Sequence, residues 1–230
     1  FIEAAGVSPV RMAHVRKLAR LEALSDPQMV NELLTHMTRA AAPAPSVETI
    51  LHAILPHRYV DHTHADAVLT VTNTANGEAR IREIYGDTVV VIPYVMPGFD
   101  LACLCAAKFP AEAHAGTLGM VLMNHGIFSF GATARESYDR MIALVQRAED
   151  YLAGHNAWTL PKARRSGILP KPIRASTAKL RQDISKVAGF PLLMRVHQDS
   201  RIIAFARRDD LASIAGQGPA TPDHAIRTKR

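Results

Sequence analysis

The chain is short of sulfur, aromatic residues and long apolar runs, and each shortage narrows what it can be. Among its 230 residues are two cysteines, Cys103 and Cys105, and one tryptophan, and aromatics make up 6%. The cysteines stand two apart in "GFDLACLCAAKF", which reads as a helix and points them to different sides. They offer neither a structural disulfide nor the paired thiolates of a sulfur zinc site. No stretch of apolar residues is long enough to span a bilayer, and the first thirty residues lack the basic, apolar, small-residue succession of a secretion signal. Neither membrane insertion nor export is indicated, which leaves the cytoplasm as the default location. The chain also has no G-x-G-x-x-G and no phosphate loop, so this segment is not expected to hold a dinucleotide itself. Lys and Arg outnumber Asp and Glu to give a net charge of +6, but they are spread out, dense only in "KARR" (162–165) and the closing "RTKR". Without a basic face interleaved with aromatics, nucleic-acid binding is not expected. A modest positive balance instead suits an anionic small molecule.

What is present is a globular composition, 48% hydrophobic and 21% charged, sufficient for a real core. The opening residues lack Met and enter helix-period sequence almost at once, so an amino-terminal part is expected to be missing. "SPVRMAHVRKLARLEAL" predicts an amphipathic helix capped by Ser8, with Val10, Val15, Leu18 and Leu21 as its stripe. "SDPQMVNELLTHMTRA" repeats the cap-then-Pro signal, with Met29, Val30, Leu33, Leu34 and Met37 apolar. "VETILHAILP" reads as a short helix, "HRYVDHTH" as a strand and "TVVVIPYV" as a buried strand. "PGFDLACLCAAKF" reads as a helix, and "MVLMNHGIFSFG" as two strands hinged at Gly126. Thr133 and Glu136 make a capping box for a long helix that stops at Gly154. Strands alternating with helices predict an α/β/α sandwich around one sheet over residues 1–154. A basic, proline-rich linker follows over 155–175. Residues 176–230 read as a small α+β extension, with a hairpin in "PLLMRVHQDSRIIAFARR".

The chemistry gathers around "VDHTHAD". In a strand, His62 and His64 share a face with Cα atoms roughly 6.6 Å apart. Two imidazoles at that spacing can converge on one ion, with metal–nitrogen bonds of about 2.0–2.1 Å. From the pair alone, a chance H-x-H on a solvated face is an equal alternative. His125, at the end of a buried strand in "MVLMNHGIFSF", is the best third ligand; a catalytic zinc commonly takes three protein groups and keeps one position open. Glu48, at the start of a short helix, is a candidate general acid and base, although helix-starting glutamates are common for electrostatic reasons alone. His52, one turn after Glu48, reads as a surface histidine. His57, His114, His155, His197 and His224 have no partner at ligand spacing.

"PSVETILHAILPHRYVDHTHAD", followed about sixty residues later by "MNHG", resembles the class II aldolase/adducin family. "DHTHADAVLTVTN", "YGDTVVVIPYVMPGFDLA", "NHGIFSFG" and "TPDHAIRTKR" are most similar to the aldolase half of bifunctional rhamnulose-1-phosphate aldolase/short-chain dehydrogenase proteins. The resemblance implies a sandwich built on a mainly antiparallel sheet. It implies that His62, His64 and His125 hold Zn2+ or another divalent cation, that Glu48 is the acid/base, and that Ser46 contacts substrate phosphate. It implies a homo-oligomer with sites at subunit interfaces, and a dehydrogenase domain following this segment. The reaction it implies is cleavage of a ketose 1-phosphate, of the rhamnulose type, to dihydroxyacetone phosphate and an aldehyde, as part of rhamnose catabolism. The family also contains 4-epimerases that use the same site, and non-catalytic adducin-like members. A tyrosine donates the second proton in many members, and Tyr59, Tyr85, Tyr94, Tyr138 and Tyr151 are the choices here. Two features depart from the family: the Glu48–His62 interval is shorter than in single-domain relatives, and the amino-terminal Gly-Asn-Ser loop is absent. These departures imply an incomplete catalyst or a truncated fragment.

Overall fold

Four short strands carry the architecture of this computed structural model, which describes residues 3–159, 173–195 and 200–220. They are β1 (Tyr59–Thr63), β2 (Val89–Ile92), β3 (Gly119–Leu122) and β4 (Gly126–Gly131), in the spatial order β1-β4-β3-β2. β4 runs antiparallel to both β1 and β3, whereas β2 and β3 are parallel. The sheet is therefore mainly antiparallel, as expected. β2, β3 and β4 are buried along their whole length, because helices cover both faces.

Those helices are α1 (Met12–Leu18), α2 (Asp26–Thr35), α3 (Thr49–Ile54), α4 (Asp66–Thr72), α5 (Gly77–Tyr85), α6 (Phe99–Glu112) and α7 (Ala134–Gly154). Strand residues alternate between the two faces, and two separate cores follow. On one side Val90, Ile92, Met120, Leu122, Phe128 and Phe130 pack with Val15, Leu33, Leu51 and Phe109, which come from α1, α2, α3 and α6. On the other, Val89, Val91, Val121 and Ile127 pack with Val68, Ile81, Leu144 and Leu152 from α4, α5 and α7. Truncating Phe128 or Phe130, each essentially inaccessible, to Ala costs about 3–5 kcal/mol.

Local side-chain signals account for two helix starts. Ser25 and Gln28 form the reciprocal capping box of α2, with Pro27 in the first turn. Thr133 accepts the amide of Glu136 at the start of α7, but the Glu136 carboxylate reaches back to the amide of Ala132 rather than to that of Thr133. α1 differs from expectation, because it starts after Arg11 with no side-chain cap. Ser8 donates instead to the carbonyl of Pro43 at 2.6 Å. Val10 leaves the helical stripe to bridge Met37, and Leu21, Val30 and Leu34 remain exposed.

The chain divides into two compact units, the second being Asn156–Gly218. Its described residues hold α8 (Ile173–Ala188), α9 (Ser200–Ala206) and α10 (Leu211–Ala215). The hairpin expected around Ser200 is replaced there by α9, where Ala204, Ala206 and the arginines favour helix over the β-branched pair Ile202–Ile203. Residues 196–199, the 160–172 part of the linker with its "KARR", and the closing "RTKR" lie outside the described residues. No helix among the described residues is long and apolar enough to cross a membrane.

Candidate metal centre

The ends of β1 and β3 and the start of α3 meet at one edge of the sheet. His62 lies in β1 opposite Phe128, whose ring stacks on it at 4.1 Å, while His64 lies one residue beyond the strand. His125 closes the three-residue turn between β3 and β4. The left-handed residue of that turn is Asn124, with φ of 57°, not Gly126. The Asn124 side chain donates to Asn73 at 2.8 Å, which ties the turn to the end of α4.

Gly126 is required for a different reason. A Cβ there would lie 2.6 Å from the carbonyl of Thr63 and 2.9 Å from both the His62 and His64 rings. Only a residue without a side chain lets β4 run under the H-x-H pair.

Glu48 caps α3, and the turn before it is held by Ser46. The Ser46 hydroxyl accepts the Glu48 amide at 3.2 Å, and Thr49 donates to the Ser46 carbonyl at 2.6 Å. The Glu48 carboxylate thereby reaches all three rings: its Oε1 is 2.7 Å from Nε2 of His125, 3.3 Å from Nε2 of His62 and 3.9 Å from Nε2 of His64. The three ring centroids are 4.8–5.3 Å apart. One ligand atom from each of the four side chains lies within 4.8 Å of the others. Every residue singled out for the site from its sequence pattern is thus in one place, and Ser46 is two residues from its centre.

Electrostatics and orphaned atoms test whether a cation fits. Burial alone would raise the Glu48 carboxyl, but contributions from His125 and then His62 outweigh it and hold the group well below the usual carboxylate range. His125 is only 3% exposed, and His64, at 24%, is the most exposed of the three rings. The Nδ1–H of His62 donates to the carbonyl of Ile127 at 3.1 Å, which fixes the tautomer and turns Nε2 toward Glu48. Among the described residues, Nε2 of His62 and Nδ1 of His125 are buried and lack a hydrogen-bond partner. An unpartnered buried imidazole nitrogen of His62 beside one anionic oxygen, with two further imidazoles within reach, suits a divalent transition metal.

Sequence pattern alone missed several supports. His52 is not a surface histidine: it lies half-buried, edge-on to Phe128 at 5.2 Å and to His62 at 6.5 Å. Burial and then the nearby His62 keep its pKa below the ordinary value. Of the five tyrosines, Tyr85 is buried and donates to the Leu144 carbonyl at 2.8 Å. Tyr59 sits at the far end of β1, opposite Gly131. Tyr94 is exposed two residues beyond β2, which ends level with β3 ahead of the His125 turn. A second cluster, His14, Glu32 and His36, was also missed; its one legible trace was the i,i+4 pair in "ELLTH".

Comparison with known sequences and structures places the chain. The family described as Class II Aldolase and Adducin N-terminal domain matches residues 12–152, and that described as Aldolase class II, second domain, matches 172–230. A Bacillus subtilis (strain 168) protein described as "Uncharacterized oxidoreductase YuxG" is 31% identical over 240 residues, which take in 100% of this chain and 34% of that one. The chain therefore spans about a third of that relative's length. The structure of the N-terminal class II aldolase domain of a conserved protein from Thermoplasma acidophilum is similar, with 41% identity and a TM-score of 0.60. The likeness covers 66% of this chain and 68% of that one.

Proposed function

Since the chain belongs to the class II aldolase and adducin family, we propose that it is the aldolase part of a zinc-dependent lyase. It cleaves a ketose 1-phosphate of the rhamnulose type to dihydroxyacetone phosphate and an aldehyde. The observation that carries this reading is the convergence of three imidazoles on one carboxylate oxygen in a buried cradle that Gly126 keeps open. His62, His64 and His125 would hold the zinc. When bound, the ion supplies the positive charge that offsets electron density left on the donor fragment as the bond between carbons 3 and 4 breaks.

The other steps fall to the chain's own groups. Glu48 moves the proton at the donor carbon: its carboxyl gives it on cleavage and its carboxylate removes it in the synthetic direction, while the proton of the carbon-4 hydroxyl leaves to solvent or to a tyrosine as the aldehyde forms. Ser46 accepts the Glu48 amide and keeps its own proton to offer to a substrate phosphate oxygen. The name and greater length of the Bacillus subtilis relative support a fused dehydrogenase domain in the longer protein.

The test is product analysis with the zinc-loaded protein and rhamnulose 1-phosphate. Release of dihydroxyacetone phosphate and an aldehyde, lost in Glu48→Gln with the metal retained, is the expected result. An altered sugar phosphate with no aldehyde would replace the lyase reading by a 4-epimerase. Protein that takes up no metal would remove both.

A further inference from the structure

We propose that His52 is a positioning residue of the candidate metal centre: it braces the His62 ring from the helix that carries Glu48, and so fixes where His62 offers Nε2. This rests on the reading of that cluster as a metal site. Glu48 caps α3, and His52 lies one turn further along it, its amide donating to the Glu48 carbonyl at 3.2 Å. Residues four apart share a helix face, and both of these reach His62. The helix itself is anchored, with Ile50, Leu51 and Ala53 buried in the core on that side of the sheet.

Three rings pack against one another there. Phe128 stacks on His62, with centroids 4.1 Å apart and planes 20° from parallel. His52 stands nearly perpendicular to His62, 6.5 Å away at 81°, and edge-on to Phe128, 5.2 Å away at 63°. Both separations are those of edge-to-face ring pairs. Phe128 is fully buried within β4, so the side that cannot yield is the sheet, and His52 closes the arrangement from the helix. A single hydrogen bond, from Nδ1 of His62 to the Ile127 carbonyl at 3.1 Å, sets the tautomer, and the ring contacts set the tilt.

His52 does not join the donor set, whose atoms within 4.8 Å of one another come from Glu48, His62, His64 and His125. Its effect is therefore exerted through His62. Groups one step removed from a metal change its affinity roughly ten- to a hundredfold by orienting the ligands. His62 has particular need of such a group. His125 is placed by its turn, which Asn124 ties to the end of α4. His62 stands in β1, which among the described residues is an edge strand paired with β4 alone, so its orientation depends on its side-chain neighbours.

Zinc affinity, measured by competition with a chromophoric chelator, and the visible spectrum of the Co2+-loaded chain test this. In His52→Ala the Kd for Zn2+ should rise about tenfold or more, and the cobalt bands should shift as the ligand angle changes. His52→Phe keeps a flat ring in place and should return both toward the parent values. Leu51→Ala, a core truncation on the same helix, controls for lost stability and should leave the bands where they are. In metal-free protein, nitrogen NMR should show His62 as one tautomer, protonated at Nδ1. His52→Ala should give a mixture, because a ring free to tilt spends less time on the Ile127 carbonyl. A parent chain that binds no metal would remove the metal-centre reading, and the tautomer measurement would then decide the role of His52 by itself. Equal affinity and an unchanged cobalt spectrum in His52→Ala overturn the proposal. Bands that move as far in Leu51→Ala, or a His62 tautomer indifferent to His52→Ala, overturn it too.

Discussion

Two clusters in this protein are assembled from nearly the same parts, three histidines with a glutamate in one and two histidines with a glutamate in the other, yet their surroundings differ. In the first, sheet and helix ends bury the rings, a glycine supplies the space, and a phenylalanine fixes the ring of His62. In the second, two helices present the same chemistry on an accessible face. The difference teaches that ligand identity proposes a metal site, whereas burial decides what the site can do. A buried cluster can exclude water and shift a carboxylate far from its ordinary pKa, as Glu48 shows. An exposed one leaves its groups in contact with water, and its two rings stack on each other instead of converging.

The contrast can be broken first at His125. His125→Ala removes the most buried ligand and should abolish zinc retention through gel filtration and, with it, aldolase turnover. The equivalent changes in the exposed cluster should leave turnover unaltered. Glu48→Gln should be milder, lowering kcat by about 10²–10⁴-fold with zinc still bound, because it removes a proton carrier and no required ligand. Steady-state rates beside metal analysis separate the two variants.

Gly126→Ala tests the cradle. The added methyl cannot avoid the Thr63 carbonyl without backbone movement, so stability should fall by about 1–3 kcal/mol in urea unfolding, and zinc affinity should fall with it. A neutral result would mean that the cradle is looser than the geometry shows.

Alkaline pH probes the same principle of burial in a lone thiol group. Burial pushes the Cys105 thiol from 9.0 up to about 12. Between those values the unfolded chain loses the proton and the folded chain keeps it, so stability should fall as pH rises through that window and be fully present below it. The slope contributed by this thiol is at most about 1.4 kcal/mol per pH unit. Tyr85 is shifted upward by burial too, so its effect has the same sign. Cys105→Ala should flatten the curve. The smallest effect belongs to His14→Ala, which in metal-free protein should cost less than about 1 kcal/mol, because it breaks only a partly exposed contact.

Much of this was legible in the chain. The H-x-H pair at β1, His125 after a buried run and Glu48 at a helix start came from spacing and from family likeness, and the alternation of strands and helices indicated the sheet. What stayed hidden depends on tertiary neighbours. The left-handed turn residue is Asn124 because Gly126 serves to admit the H-x-H rings, and no local pattern distinguishes those two duties. His52 looked superficial because α3 was read without the sheet it covers. His14 and His36 are twenty-two positions apart, and only the pairing of Val10 with Met37 brings their rings together. The helix at Ser200 shows the reverse error, where β-branched residues outweighed helix-favouring neighbours in the reading but not in the fold.

The most direct measurement is anomalous diffraction at the zinc edge from crystals grown with the metal. The account predicts a strong peak at bonding distance, about 2.0–2.1 Å, from one nitrogen each of His62, His64 and His125, with Glu48 beside it. Zinc-soaked crystals with no peak there, or with a peak that leaves His125 uncoordinated, would contradict it.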